Sequence, residues 1–220
     1  MVRTAMGSGS YLEEILNAVT HGVGTLLAII GLSVLTAAAY LNGGVLHLVS
    51  SIVYGISLVL LYLASTLYHS FTDEKIKSVL KFFDHAAIYI LIAGNYTPFT
   101  LIPLHGTIGW TIFSLIWGLA LIGIVFKIFF VKRFKVFSTL CYLLMGWLSV
   151  VMIKPLLATL PIEGIYWLIV GGVFYTVGAI FYLARRIPYN HAIWHLFVLA
   201  GSICHFIAVF NYVLPIPVMG

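Results

Sequence analysis

Two histidines four residues apart, His191 and His195 in the run NHAIWH, are the residues most able to do chemistry in this chain. On a helix that spacing rotates the side chains by about 40° and separates them by about 6 Å along the axis, so both imidazoles can face one ion. Two neutral imidazoles so placed are a metal-binding pair, and a third ligand must come from elsewhere. His69 is the candidate, with Ser65 four residues before it on the same helical face. Asp84 is the one carboxylate inside a long apolar run. Three imidazoles with a fourth position open match a catalytic zinc site, in which Asp84 and Ser65 would act on the substrate. Each element has a plainer reading. A lone H-x3-H is a weak motif. Asp84 could cap a helix or pair with Lys81, and Ser65 could bond a carbonyl of its own helix.

The other polar groups are placed by the same arithmetic. His205 lies ten residues past His195, about 15 Å deeper, so it cannot share the ion. Asn95, eleven residues past Asp84, is also deep, and both are expected to bond neighbouring helices. His47 and His85 are assigned to no site, and His21 is a candidate partner for one of the ligands.

The elements that must position these residues are membrane helices. The chain has 220 residues, 62% of them hydrophobic and 8% charged, against about 25% charged in soluble domains. Seven runs reach the ~20 residues needed to span a bilayer: 21–41, 46–69, 82–103, 107–130, 137–154, 162–184 and 190–213. The fold class is therefore an all-α seven-transmembrane bundle, a single domain over 11–220. Residues 1–10 are set apart as a cloning remnant or disordered start. Period-2 alternation is absent, which excludes a membrane barrel. The basic residues set the direction. Arg3, Lys75, Lys77, Lys81, Lys127, Lys132, Arg133, Lys135, Arg185 and Arg186 fall on one side, and Lys154 alone on the other. The N-terminus is thus cytoplasmic and the C-terminus outside, and His69, Asp84, His191 and His195 share one depth near the cytoplasmic face. Before the first run, Leu12, Ile15, Leu16 and Val19 lie opposite Glu13, Glu14 and Asn17. That pattern fits a surface-lying amphipathic helix or an extension of the first span. Cys141 and Cys204 sit inside apolar runs and imply no disulfide framework.

Ser65, His69, Asp84, His191 and His195, in runs such as LYLASTLYHSF, FFDHAAIYILIAGNYTPF and NHAIWHLFVLAGSICHF, resemble the hemolysin III family. That family is grouped with the progestin and adipoQ receptors and, more distantly, the alkaline ceramidases. The resemblance implies one zinc ion held by His69, His191 and His195, with Asp84 against a water on the metal and Ser65 close by. It further implies hydrolysis of a lipid amide, with a ceramide-like or other N-acyl membrane lipid as substrate, and a bacterial plasma-membrane setting. Two alternatives accompany it: a non-enzymatic receptor or regulator of membrane lipid state with structural zinc, and a pore-forming cytolysin. No nucleic-acid footprint is present. The last run carries no lysine for a retinal Schiff base, and an i, i+4 pair suits a small ion better than haem.

Overall fold

The computed structural model describes residues 8–131, 133–184 and 186–218, and among them every regular element is helical. In chain order these are α1 (Ser8–Asn42), α2 (Val45–Ser70), α3 (Glu74–Leu101), α4 (Thr107–Phe130), α5 (Lys135–Trp147), α6 (Val150–Leu156), α7 (Ile162–Leu183) and α8 (Asn190–Ala208). A π-helical turn, Val209–Val213, continues α8. The pairs α1–α2, α2–α3, α3–α4 and α7–α8 pack side by side, α5 touches α3 and α7, and α1 also packs against α8, so the bundle closes on itself.

Polarity is inverted relative to a soluble protein. Leu26, Ile30, Leu121, Ile122, Phe129, Leu144, Val151 and Ile180 are exposed on the outside. Asn17, Ser50, Ser57, Ser65, Asp84, Asn95, Thr97, Lys127 and Ser202 are buried inside. An apolar exterior on this scale requires lipid as the solvent. Among the described residues, six helical segments are long and apolar enough to cross a membrane: Tyr11–Asn42, Val45–Ser70, Thr107–Phe130, Lys135–Leu156, Ile162–Leu183 and Asn190–Val213. The chain is a multi-pass membrane protein.

The expected seventh crossing, 82–103, is the exception. Its helix, α3, is 28 residues long, yet Asp84, His85, Asn95, Thr97 and Thr100 make it too polar to qualify. The physical reason is position. From Asp84 to Leu101, α3 is largely buried between α2 and α4, where neighbouring helices replace lipid as its surroundings. Gly94 permits the approach of α2, because a Cβ there would collide with Ser57 Oγ. α3 also starts earlier than its apolar run suggests. Asp73 caps it, its side chain accepting from the amides of Lys75 and Ile76 at 2.9 and 3.0 Å. That leaves Asp84 in the helix body, free of any capping role.

Two further differences bear on the site. Of the two readings of the stretch before the first span, the extension holds and the surface-lying helix does not: α1 begins at Ser8 and runs unbroken for 35 residues. The reading of residues 1–10 as a remnant concerns positions 1–7, which lie outside the described residues, whereas Ser8–Ser10 are already helical. The expected run 137–154 is broken between α5 and α6 at Leu148 and Ser149. Tyr96 of α3 donates a shared hydrogen bond to the carbonyls of Gly146 and Met145, at 2.7 and 2.9 Å, satisfying backbone next to the break.

The α2–α3 contact yields a direct expectation. Gly94→Leu should lower stability by about 1–3 kcal/mol through overpacking, read as a lower unfolding temperature in detergent. An unchanged temperature would show that the two helices are not in close contact there.

Candidate metal centre

His69 sits in the last turn of α2, and His191 and His195 in the first two turns of α8. One ring nitrogen from each can be chosen so that all three lie within 4.8 Å of one another. The ring centroids are 4.6 to 5.2 Å apart. The three imidazoles predicted from spacing therefore meet, and the donor set is one that suits a transition metal.

Tautomers follow from the hydrogen bonds around the cluster. His69 Nδ1 lies 2.6 Å from Glu14 Oε2, and Lys77 Nζ donates to Glu14 Oε1 at 2.9 Å. The Nδ1–H of His69 thus donates to a carboxylate, and its unprotonated Nε2 is buried without a hydrogen-bond partner. His195 Nδ1 lies 3.2 Å from the Asn17 carbonyl and 3.3 Å from Thr20 Oγ1. In both residues one nitrogen is committed to α1, which leaves the Nε2 lone pair for an ion. This is how metal-ligating histidines are held, and the orphaned Nε2 of His69 fits the group.

These α1 residues are what sequence reasoning missed. Glu14, Asn17 and His21 are spaced i, i+3 and i+7, one polar stripe. Read alone, the stripe looked like a water-facing side opposite Leu12, Ile15, Leu16 and Val19. The structure reverses it: those four apolar residues are exposed, and Asn17 and His21 are buried against the histidines. A polar stripe on the end of a membrane helix can face a polar interior as well as water, and the spacing was the available signal. His21, expected as a ligand's partner, stacks on His195 with centroids 3.5 Å apart.

Two cavities flank the cluster. The first is apolar and runs between α3, α5, α6, α7 and α8; Ser65, Asp84, His21, His191 and His195 line one end of it. Ser65 Oγ is buried there and makes no hydrogen bond. Asp84 therefore shares the cavity with two of the ligands but is outside the close histidine triad. Its Oδ2 is 3.4 Å from His85 Nδ1. His85, assigned to no site from sequence, is outside the histidine triad and lines both cavities, because α3 is surrounded on most sides. Asn95 and His205 line the far end. His205 bonds the Leu168 carbonyl of α7 at 3.1 Å, and the Asn95 side chain hydrogen-bonds Tyr175 of α7, both as expected. His47 binds far from the cluster, to the Ile216 carbonyl at 2.8 Å. The second cavity is a polar vestibule reached past His191.

A haemolysin-III-related family model matches residues 10–206. The chain belongs to the haemolysin-III-related family. It is 54% identical over 203 residues to a Bacillus cereus protein named Hemolysin-3, covering 92% of this chain and 93% of that one. A Bacillus subtilis Hemolysin-3 homolog is 53% identical over 93% of this chain and 96% of its own length. The human monocyte to macrophage differentiation factor is 29% identical over 91% of this chain and 84% of its own. No solved structure matches.

For this family member the cluster makes two measurements decisive. Elemental analysis of purified protein should find stoichiometric metal that is lost in His69→Ala and in His191→Ala; equal metal in all three would remove the site. Glu14→Gln, which keeps the shape but weakens the bond to His69, should reduce metal affinity by about 10–100-fold. An unaltered affinity would mean that Glu14 does not act on the ligand.

Proposed function

We propose that this protein is a zinc-dependent hydrolase of lipid amides, threaded through the plasma membrane seven times with its N-terminus in the cytoplasm. The observation that carries the chemistry is the three-imidazole cluster opening on an apolar cavity that also holds Asp84 and the unbonded Ser65 hydroxyl. The threading rests on α3 as the seventh crossing, shielded by its neighbours, and on the one-sided distribution of lysine and arginine.

His69, His191 and His195 would hold the metal. Zinc, when bound, supplies Lewis-acid polarisation of a carbonyl and makes water acidic enough to ionise near neutral pH. The residues around it then have separable tasks. Asp84 takes the proton from a water as its oxygen bonds to the amide carbon. Ser65 donates a hydrogen bond to the carbonyl oxygen as negative charge builds there. Asp84 returns the proton to the amine nitrogen as the carbon–nitrogen bond breaks. One water is consumed, and a fatty acid and an amine are released.

The cavity suits an acyl chain. Its lining on α8 extends from His191 to His205, a rise of about 21 Å. A single leaflet contributes about 15 Å of hydrocarbon. Trp147, Val150 and Ile169 line the cavity and are also exposed on the outer surface. A chain can thus reach it sideways from the bilayer, between α5–α6 and α7.

A second reading is favoured by the name of the two Bacillus relatives, which describes haemolysis. A pore former would release dye from liposomes whether or not His191 is replaced by alanine.

The hydrolase reading is tested with zinc-loaded protein and a panel of N-acyl lipids, with release of fatty acid followed by mass spectrometry. Asp84→Asn should retain zinc and lose about 10²–10⁴-fold in turnover. Ser65→Ala should lose about 10²-fold. Zinc-loaded protein that cleaves no acyl amide would overturn the reading.

A further inference from the structure

The vestibule beyond His191 holds more positive charge than membrane topology explains. It has a volume of about 380 Å³, and its walls include Lys81, Lys127, Arg133 and Lys135 against Glu13 and Glu14. Glu14 is committed to His69 and Lys77. Lys135 is engaged by Tyr182, donating to its carbonyl at 2.8 Å with its ammonium over the ring. Lys81, Lys127 and Arg133 form no ion pair with a carboxylate among the described residues.

Lys127 is the informative one. From sequence it counts as one more lysine at the end of a membrane helix. In the structure it is 1% exposed, and its ammonium donates to the neutral hydroxyl of Ser138 at 2.7 Å. Orientation in the membrane requires basic residues near the surface, but it gives no reason to bury one. Asp84, the nearest acid on α3, turns to His85 instead. Glu13 also lines the vestibule but forms no ion pair with Lys127, and a buried ammonium facing a polar cavity without an ion-pair partner among the described residues suits an anion from outside.

The two cavities share His85, Thr139, Tyr142, Tyr182 and His191 as walls. A molecule with an apolar tail in one and a charged head in the other would lay its middle across the histidine cluster. We propose that the vestibule is a subsite for the phosphate headgroup of the lipid, held by Lys127, Lys81 and Arg133. Three cationic groups from α3, α4 and the segment after α4 suit a tetrahedral oxyanion better than a planar carboxylate, which a single arginine would satisfy. The inference rests on the lipid-amidase reading and narrows its substrate to N-acyl lipids whose amine part carries a phosphate ester.

The test separates the head from the cleavage. Dodecyl glycerol ether and its phosphate form a matched pair without an amide, so neither is consumed. Their binding to the zinc-loaded full chain in neutral detergent is measured by calorimetry, beside inorganic phosphate alone. The ether phosphate should bind about 10–100-fold more tightly than the neutral ether. Lys127→Met and Arg133→Gln should each remove about 10-fold of that preference and leave neutral binding unchanged, whereas Lys127→Arg should keep it. Metal content and unfolding temperature show that each variant is folded, and Arg133 is exposed, so its substitution does not disturb the core. Equal binding of the matched pair overturns the subsite. Inorganic phosphate binding as tightly as the ether phosphate also overturns it, since the site would then serve a free anion. The outcome for the hydrolase reading stays separate. Preference for phosphate in a protein that cleaves no amide leaves the subsite standing, and amide cleavage without phosphate preference removes the subsite alone.

Discussion

The Nδ1–H bonds that fix His69 and His195 are the constraint on which the rest of the site depends. An imidazole can present a lone pair to an ion only if its other nitrogen holds the proton, and here α1 decides which nitrogen that is. The Glu14 carboxylate holds His69 and the Asn17 carbonyl holds His195. Without these two acceptors the rings could swivel or adopt the other tautomer, and convergence of three imidazoles from two helices would not amount to a ligand set. The bundle thus closes α1 onto α8 for a chemical reason as well as a packing one.

The same logic explains why α3 can be more polar than the six apolar helices around it. A helix flanked by α2 and α4 need not be apolar all round, and its polar positions are available to the interior. Asp84 and His85 face the cavities because lipid does not claim that surface. The broken α5–α6 segment is tolerated likewise, since Tyr96 supplies the hydrogen bonds next to the break.

Much of this was legible in the residues. Periodicity and run length found the helices, and the boundaries 107–130 and 190–213 coincide with α4 and with α8 plus its terminal turn. The H-x3-H spacing and the shared depth of His69 found the cluster. What escaped has a common cause. Hydropathy says how polar a stretch is, but not which way its polar side points. Glu14 and Asn17 looked like a wet face and turned out to be an inner one. Lys127 counted as a topological marker and is a buried cation. His85 was discarded because it points away from Asp84 along the helix, yet two cavities meet around it. Each of these needs the neighbouring helix to be known before its role can be read.

The arrangement of α1 has a practical side. Its first four turns carry Glu14, Asn17 and Thr20, so the geometry of the ligands is anchored to the start of α1. Anything fused upstream for purification, or any partner that pulled on that end, would exert leverage on the histidine cluster itself. The described residues past Val213 are tied elsewhere, Ile216 to His47, so a fluorescent reporter there would sit away from the ligands.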